Sequence, residues 1–245
     1  MAEPALHAAT EIALSIHGLS AGYGKVQILK RIGLSVNWGE VVGILGRNGA
    51  GKTTLLKSIM GIVRPTAGEI TINGTASLKG RPTTEIVHEG VGYVPQGRAI
   101  FPALTVLENL RDAQYALKLG SQSVETVIEE FPGLKPKLNT RGGGLSGGQQ
   151  QILALARALV GSPSVLLLDE PSEGIQPSIL DEIVEILSGL AARSSLSILL
   201  VEQNIEFAAA LAERAYIMDM GNVISSVSGA ELKSRQLARD LMSST

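Results

Sequence analysis

Residues 41–54 read VVGILGRNGAGKTT. A short apolar run, 41–45, meets a loop made of Gly46, Arg47, Asn48, Gly49, Ala50, Gly51, Lys52, Thr53 and Thr54. Apolar residues at helical spacing follow, at Leu55, Leu56, Ile59 and Met60. Strand, glycine loop and helix in that order give the G-x4-G-K-[ST] pattern the context that confirms it. The glycines let the backbone wrap closely around phosphate oxygens, and the loop N–H groups and helix N-terminus point at the negative charge. Lys52 is placed to reach the β- and γ-phosphates, and the Thr53 hydroxyl to ligate Mg²⁺.

Working outward, short apolar runs at 12–16, 32–36, 69–72, 91–94, 165–168 and 198–201 read as strands bounded by turn residues. Asn73-Gly74 gives the early strands a hairpin-like neighbour, which predicts an antiparallel β portion at the N-terminal end. The later strands alternate with helical patterns, which predicts parallel pairing. No strand pattern occurs between residues 101 and 160. Helix-forming stretches at 106–119, 124–131 and 148–160 predict a helical insertion in a parallel α/β core.

Two further motifs bear on chemistry. Residues 165–172 read VLLLDEPS. Four apolar residues predict a strand buried on both faces. Asp169 at its end is placed to hold Mg²⁺, and Glu170 to polarise an attacking water. Residues 145–151 read LSGGQQQ and open an Ala- and Leu-rich helix. Ser146 can cap that helix, and Gly147 and Gly148 leave backbone N–H groups exposed, a second anion-binding loop within the helical insertion.

GRNGAGKTT, LSGGQ and LLLDEP in this order resemble the nucleotide-binding subunit of an ABC (ATP-binding cassette) transporter, and the likeness covers roughly residues 10–228. It implies a P-loop NTPase fold with a RecA-like parallel-sheet core, an antiparallel β subdomain and a helical signature subdomain. The single domain would comprise a catalytic core at about 10–96 and 161–228, the helical subdomain at about 97–160, and a C-terminal helical tail at 229–245. The resemblance implies that ATP and Mg²⁺ are bound between two subunits. Tyr23, in AGYG, would stack on adenine. Ser146, Gly147, Gly148 and Gln149 would cover the γ-phosphate held by the other subunit. Gln96, in GYVPQ, would sense Mg²⁺ and water and join the core to the helical subdomain. Residues 172–177 would form a dimer-contacting loop.

One position departs from the family. After ILLVE most such ATPases carry a histidine that contacts the γ-phosphate, whereas this chain has Gln203. Glutamine still donates a hydrogen bond but cannot become an imidazolium. The base role of Glu170 is therefore expected to survive, and a histidine linchpin to be absent. Gln at this position also resembles the importer branch for branched-chain amino acids and urea. VPQGRAIFPALTVLENL, RGGGLSGGQQQ and EPSEGIQPSI together resemble the urea or short-chain amide importers most, with branched-chain or other amino acids as the alternative. A soluble ABC ATPase of cofactor assembly and a small-molecule kinase are the readings from other classes.

Composition narrows the partners. The chain has 245 residues, no cysteine, and a net charge of −2 from 21 basic and 23 acidic residues. Disulfides and thiolate metal sites are thereby excluded. Balanced charge and 3% aromatics argue against nucleic acid, which needs positive potential and stacking surfaces. No apolar run approaches the ~20 residues of a membrane span, and the first 18 residues lack the basic start and apolar block of a signal peptide. The resemblance implies a peripheral protein on the cytoplasmic face of the inner membrane. Its partners would be integral membrane permease subunits, a second ABC ATPase subunit (paralogue or self) and, indirectly, a periplasmic solute-binding protein. Phe101 and Leu104 would either line a groove for a membrane subunit or pack within the subdomain. Ile217, Met218 and Met220 are expected in a late strand, Trp38 as a loop anchor, and Lys118, Lys135 and Lys137 as solvated charges.

Overall fold

The computed structural model describes residues 12–74, 76–117, 123–194 and 196–234. Residues 1–11, which carry most of the stretch read for a signal peptide, lie outside the described residues. So do Lys118, the end of the 106–119 helix and the tail beyond residue 234.

The chain opens with β1 (Ile12–Tyr23), β2 (Val26–Asn37) and β3 (Val41–Leu45), followed by α1 (Lys52–Ile59), β4 (Pro65–Ile72), β5 (Ala76–Ser77), α2 (Thr83–His88) and β6 (Val91–Val94). The helical insertion holds α3 (Val106–Leu117), α4 (Val124–Glu130), 3-10 turns at Pro132–Lys137 and Gly142–Gly144, and α5 (Gly147–Leu159). The chain returns through β7 (Val165–Asp169), α6 (Pro177–Ser194), β8 (Ser197–Glu202), α7 (Ile205–Leu211), β9 (Arg214–Asp219), β10 (Asn222–Ser228) and α8 (Gly229–Leu232).

Two sheets form. One has the antiparallel order β2-β1-β4-β5, the other the order β10-β9-β3-β8-β7-β6. In the second, β9, β3, β8, β7 and β6 are parallel and β10 runs antiparallel along the edge. Its central strands are buried on both faces. Val42, Ile44, Leu167, Leu199 and Val201 pack with α1 and the antiparallel sheet. Val41, Leu45, Leu166, Leu168, Ile198 and Leu200 pack with α5, α6 and α7. That two-sided burial is why these strands read as continuous apolar runs rather than alternating ones. Each such side chain contributes about 1.5–3 kcal/mol relative to exposure. Arg214 fastens the two sheets: it donates to Glu40 (2.6 and 3.0 Å), to the Ser35 carbonyl of β2 (2.9 Å) and to the Tyr216 hydroxyl (2.7 Å).

The early strands are longer than the sequence suggested. Polar residues and Gly18 interrupt the apolar run of β1, and Lys30 and Arg31 interrupt β2. The ladder continues past them through register shifts, with Gly18 and Arg31 at positive φ. Bulges absorb what a strict alternation would forbid. Met220 corrects the late-strand expectation. Ile217 and Met218 are buried in β9, but Met220 sits in the turn before β10, at φ 42° and 73% exposed. Trp38 packs against the core between the sheets, as an anchor does.

Candidate functional site

The carboxyl ends of four adjacent parallel strands bring the singled-out residues together. β3 delivers the loop 46–51, β8 delivers Gln203, β7 delivers Asp169 and Glu170, and β6 delivers Gln96. Open α/β sheets bind ligands at this edge.

Gly46 must be glycine, because a Cβ there would lie 2.2 Å from the Met218 carbonyl oxygen of β9. Gly51 turns the chain into α1 at φ 103°. Lys52 is only 4% exposed, yet every hydrogen of its ammonium has a partner. It donates to the Gly46 carbonyl (2.8 Å) and the Arg47 carbonyl (3.1 Å), and its third neighbour is Glu170 Oε1 at 3.2 Å. The loop is thus wrapped around its own lysine, whose ammonium faces two loop carbonyls and the Glu170 carboxylate.

Asp169 ends β7 at 2% exposure. Thr53 Oγ1 donates to Oδ1 at 3.0 Å, and the Tyr93 hydroxyl to Oδ2 at 3.2 Å. Burial pushes the Asp169 carboxyl above its usual range, while the two hydrogen bonds pull it back. Burial, followed by the Asp169 charge, raises Tyr93 well above an ordinary phenol. Among the described residues no group of three or more His, Cys, Asp or Glu could hold a metal. Mg²⁺ does not need one: it binds through one or two protein oxygens plus substrate phosphates and water. The hard oxygens of Asp169 and Thr53, side by side at the loop, fit that requirement.

Glu170 takes a left-handed backbone, φ 49°, fixed by its N–H donating to the Val201 carbonyl (2.9 Å). A non-glycine residue held there is strained, and such strain collects at functional sites. Its side chain meets Lys52, accepts from Gln203 Nε2 (2.9 Å), and has Gln96 Nε2 at 3.5 Å. Gln203 Nε2 also donates to Asn48 Oδ1 (2.7 Å), and Gln96 to Glu173 Oε2 (3.0 Å). Gln203 therefore bridges the phosphate loop and the acidic pair by neutral hydrogen bonds.

The remaining singled-out residues lie outside this hydrogen-bonded network. Tyr23 ends β1 half exposed. Ser146 caps α5: its Oγ accepts from the Gln149 N–H (3.3 Å), and its own N–H donates to Gln149 Oε1 (3.1 Å). The N–H groups of Gly147 and Gly148, in the first turn, lack intrahelical acceptors.

Three residues were missed from sequence. Tyr93 orients Asp169. Glu202, 2% exposed, accepts from the backbone N–H of Ser172 (2.9 Å), Gln203 (3.0 Å) and Asn204 (3.1 Å), tying the loop after β7 to the loop after β8. Burial raises its pKa and those bonds oppose the rise. Asn109, fully buried, bonds to Phe101 N (2.9 Å) and to the carbonyls of Phe101, Leu104 and Thr105 (2.9, 3.2 and 2.9 Å), shaping the turn after Gln96. An acid ending ILLVE and an Asn amid Val106 and Leu110 were the available signals.

A cavity of about 960 Å³ adjoins the outer side of the phosphate loop, between residues 46–50, Gln203, Ile205 and the β9–β10 turn.

A family model described as ABC transporter matches residues 29–173. A high-affinity branched-chain amino acid transport ATP-binding protein of Pseudomonas aeruginosa, BraG, is 40% identical over 93% of this chain and 97% of its own. A probable branched-chain amino acid transport ATP-binding protein of Archaeoglobus fulgidus, LivF, is 35% identical over 87% and 91%. Among solved structures, the ADP conformation of the ATP-binding cassette MJ1267 superposes with a TM-score of 0.82 over 96% of this chain and 100% of that one, at 24% identity, a likeness of fold.

Proposed function

This chain belongs to the ABC transporter family as an ATP-binding, ATP-hydrolysing subunit, and we propose that it energises the import of branched-chain amino acids. The observation that carries the substrate class is the 40% identity to BraG over nearly the full length of both chains. LivF supports the same class. The sequence motifs alone favoured urea or short-chain amides, and the relatives favour the amino-acid alternative instead.

Two such subunits would close head to tail around two ATP molecules. Tyr23 would stack on adenine. Residues 46–54 would wrap the phosphates, with Lys52 leaving Glu170 to meet them. Thr53 and Asp169 would hold Mg²⁺, with Gln96 beside them, and bound Mg²⁺ supplies charge neutralisation at the β- and γ-phosphates. Ser146, Gly147, Gly148 and Gln149 of the other subunit would complete the site. Glu170, freed from Lys52, would orient the attacking water or take its proton, with Gln203 fixing the carboxylate through the 2.9 Å bond. The chemistry is positioning and electrostatics, which the fixed loop geometry supports.

The surface beside Gln96 suits a membrane partner. Phe101 is 44% exposed, its ring carries the Arg157 guanidinium at 4.5 Å, and Asn109 fixes the turn beneath it. No helix of the described residues is long and apolar enough to cross a membrane. We assign the chain to the cytoplasmic face of the inner membrane, bound to permease subunits that receive solute from a periplasmic binding protein.

Uptake measurements test the assignment. Cells lacking this chain should lose high-affinity uptake of radiolabelled leucine, isoleucine and valine, and regain it with the wild type but not with Lys52→Ala. Loss of urea or acetamide uptake with leucine uptake intact would overturn the amino-acid reading.

A further inference from the structure

The loop after Gln96 contains three consecutive left-handed residues, Gly97 (φ 82°), Arg98 (φ 73°) and Ala99 (φ 52°). Two of them carry side chains, so the conformation persists only because surrounding contacts impose it. Two of those contacts are local, the Arg98 N–H to the Pro95 carbonyl (3.1 Å) and the Ala99 N–H to the Gly97 carbonyl (2.9 Å), and the rest come from α5 and its lead-in. Arg98 Nη1 donates to Gln150 Oε1 at 3.0 Å, and Gln150 Nε2 donates in turn to the Gly142 carbonyl at 3.1 Å. Arg157, also on α5, donates to the Ala99 carbonyl at 2.6 Å and lies over the Phe101 ring. The N–H groups of Gly142 and Gly143 donate to the carbonyls of Leu104 (2.8 Å) and Pro102 (2.9 Å). Residues 98–104 are therefore stapled to α5 and to the Gly142–Gly144 turn before it. Gln96, two residues earlier, reaches the catalytic core instead, at Glu173 and Glu170. Gly97, with open space where a Cβ would go, is the one joint between the two attachments.

The charge on Arg98 gives this strap a sense of occupancy. Its guanidinium lies against Gly147, the first residue of α5, where a Cβ would meet Nη2 at 3.1 Å. A cation at a helix N-terminus opposes the helix dipole, and the backbone N–H groups there carry partial positive charge too. An anion at residues 146–148 reverses that balance, because it is attracted to the guanidinium and to the N–H groups together.

We propose that Arg98 is a positioning residue that couples the signature loop this chain lends to its partner's ATP with the Gln96 of its own ATP site. The proposal rests on the two-site dimer described above. A γ-phosphate on residues 146–148 strengthens the hold of α5 on Arg98 and, through the Gly97 joint, sets where Gln96 stands. Linkage makes the effect reciprocal: engagement of Gln96 by its own Mg-ATP raises the affinity of the signature loop for the other.

The test uses the full chain in its assembled membrane complex, with ATP hydrolysis followed against ATP concentration. Wild type should show a Hill coefficient above one. Arg98→Gln, which keeps a hydrogen-bonding amide but loses the charge, should bring it to one and raise the half-saturating ATP concentration about five- to tenfold. Arg98→Lys should restore most of the cooperativity, and Gln150→Ala should reproduce the loss. ATP binding to the isolated subunit, read by displacement of a fluorescent analogue, should stay the same in all of them, which a merely destabilising change would not allow. Sigmoidal hydrolysis unchanged by Arg98→Gln overturns the role of Arg98 and leaves the dimer intact. Hyperbolic wild-type hydrolysis that Ser146→Arg also leaves intact overturns the two-site reading beneath it.

Discussion

Lys52 Nζ lies 3.2 Å from Glu170 Oε1, so the cation of the phosphate loop and the proposed base are direct partners. In the proposed cycle ATP would separate them, with Lys52 turning to the phosphates and Glu170 left beside Gln203 and Gln96. Both side chains are largely buried, at 4% and 9% exposure, so solvent does little to weaken the pair. Glu170→Gln replaces a charge partner by a neutral amide. The isolated subunit should then bind ATP more tightly, by about 1 kcal/mol or roughly fivefold. Isothermal titration of the wild type and the variant measures this, and equal affinities would show that the pair does not compete with nucleotide.

Tyr93→Phe should weaken Mg²⁺ use without touching nucleotide contacts. The Tyr93 hydroxyl donates to Asp169 and lowers its raised pKa. Its removal lets that pKa rise further. The ionised carboxylate is the form that binds metal, so activity is present above the folded pKa and is lost as pH falls through it. The acid limb of the pH–rate profile should therefore move to higher pH in Tyr93→Phe, and the Mg²⁺ concentration for half activity should rise about tenfold, the low end of the worth of one hydrogen bond to a charge. Superimposed profiles would remove Tyr93 from the site.

Glu202→Gln tests the tie between the loops. Its carboxylate accepts three backbone N–H groups, and an amide can accept with one oxygen only. The cost should be about 1–3 kcal/mol of stability, seen as a lower melting temperature, together with a fall in kcat as Gln203 and Ser172 lose their anchor. The pKa of Glu202 is raised in the fold, so the folded state binds its proton more readily than the unfolded chain. Its contribution is therefore most favourable below the ordinary glutamate range and is lost as pH rises through the folded value. The wild-type minus variant stability difference should shrink over that rise. A difference that grew with pH would contradict the assignment.

Much of this was legible in the sequence, and the reason is local. Residues 46–54 on the one hand, and Asp169 and Glu170 on the other, declare themselves by residue type, each group within its own strand–turn–helix, so local spacing places them. Tyr93 and Glu202 do not. Tyr93 faces Asp169 only because β6 pairs with β7 in the register Tyr93↔Leu167, and Glu202 reaches Ser172 only because β8 lies beside β7 with Asp169 opposite Val201. Register between strands far apart in sequence is set by the packed sheet. The same holds for β1 and β2, whose bulges at Gly18 and Arg31 hide their length from an alternation pattern, and for Met220, which a positive φ lifts out of the strand. Asn109 was hidden in a helix that otherwise reads as amphipathic.

Ser146→Arg should separate binding from turnover. Ser146 caps α5 on the helical insertion, away from the residues that hold Lys52. The isolated variant should bind ATP as the wild type does, whereas the assembled complex should lose hydrolysis at least tenfold, because the bulky cation blocks closure over the partner's nucleotide. Unchanged turnover in the complex would refute completion of each site by the opposite subunit.

The most direct measurement is steady-state ATP hydrolysis by the assembled complex carrying Glu170→Gln, with bound nucleotide quantified in the same sample. The strained backbone of Glu170, its bond to Gln203 and its contact with Lys52 all fit the proposed task, the handling of the attacking water. The expected result is retained ATP, a persistent closed dimer, and turnover reduced by about a hundredfold or more, the scale of a lost general base. Hydrolysis at the wild-type rate with ATP bound would contradict the central role given to Glu170.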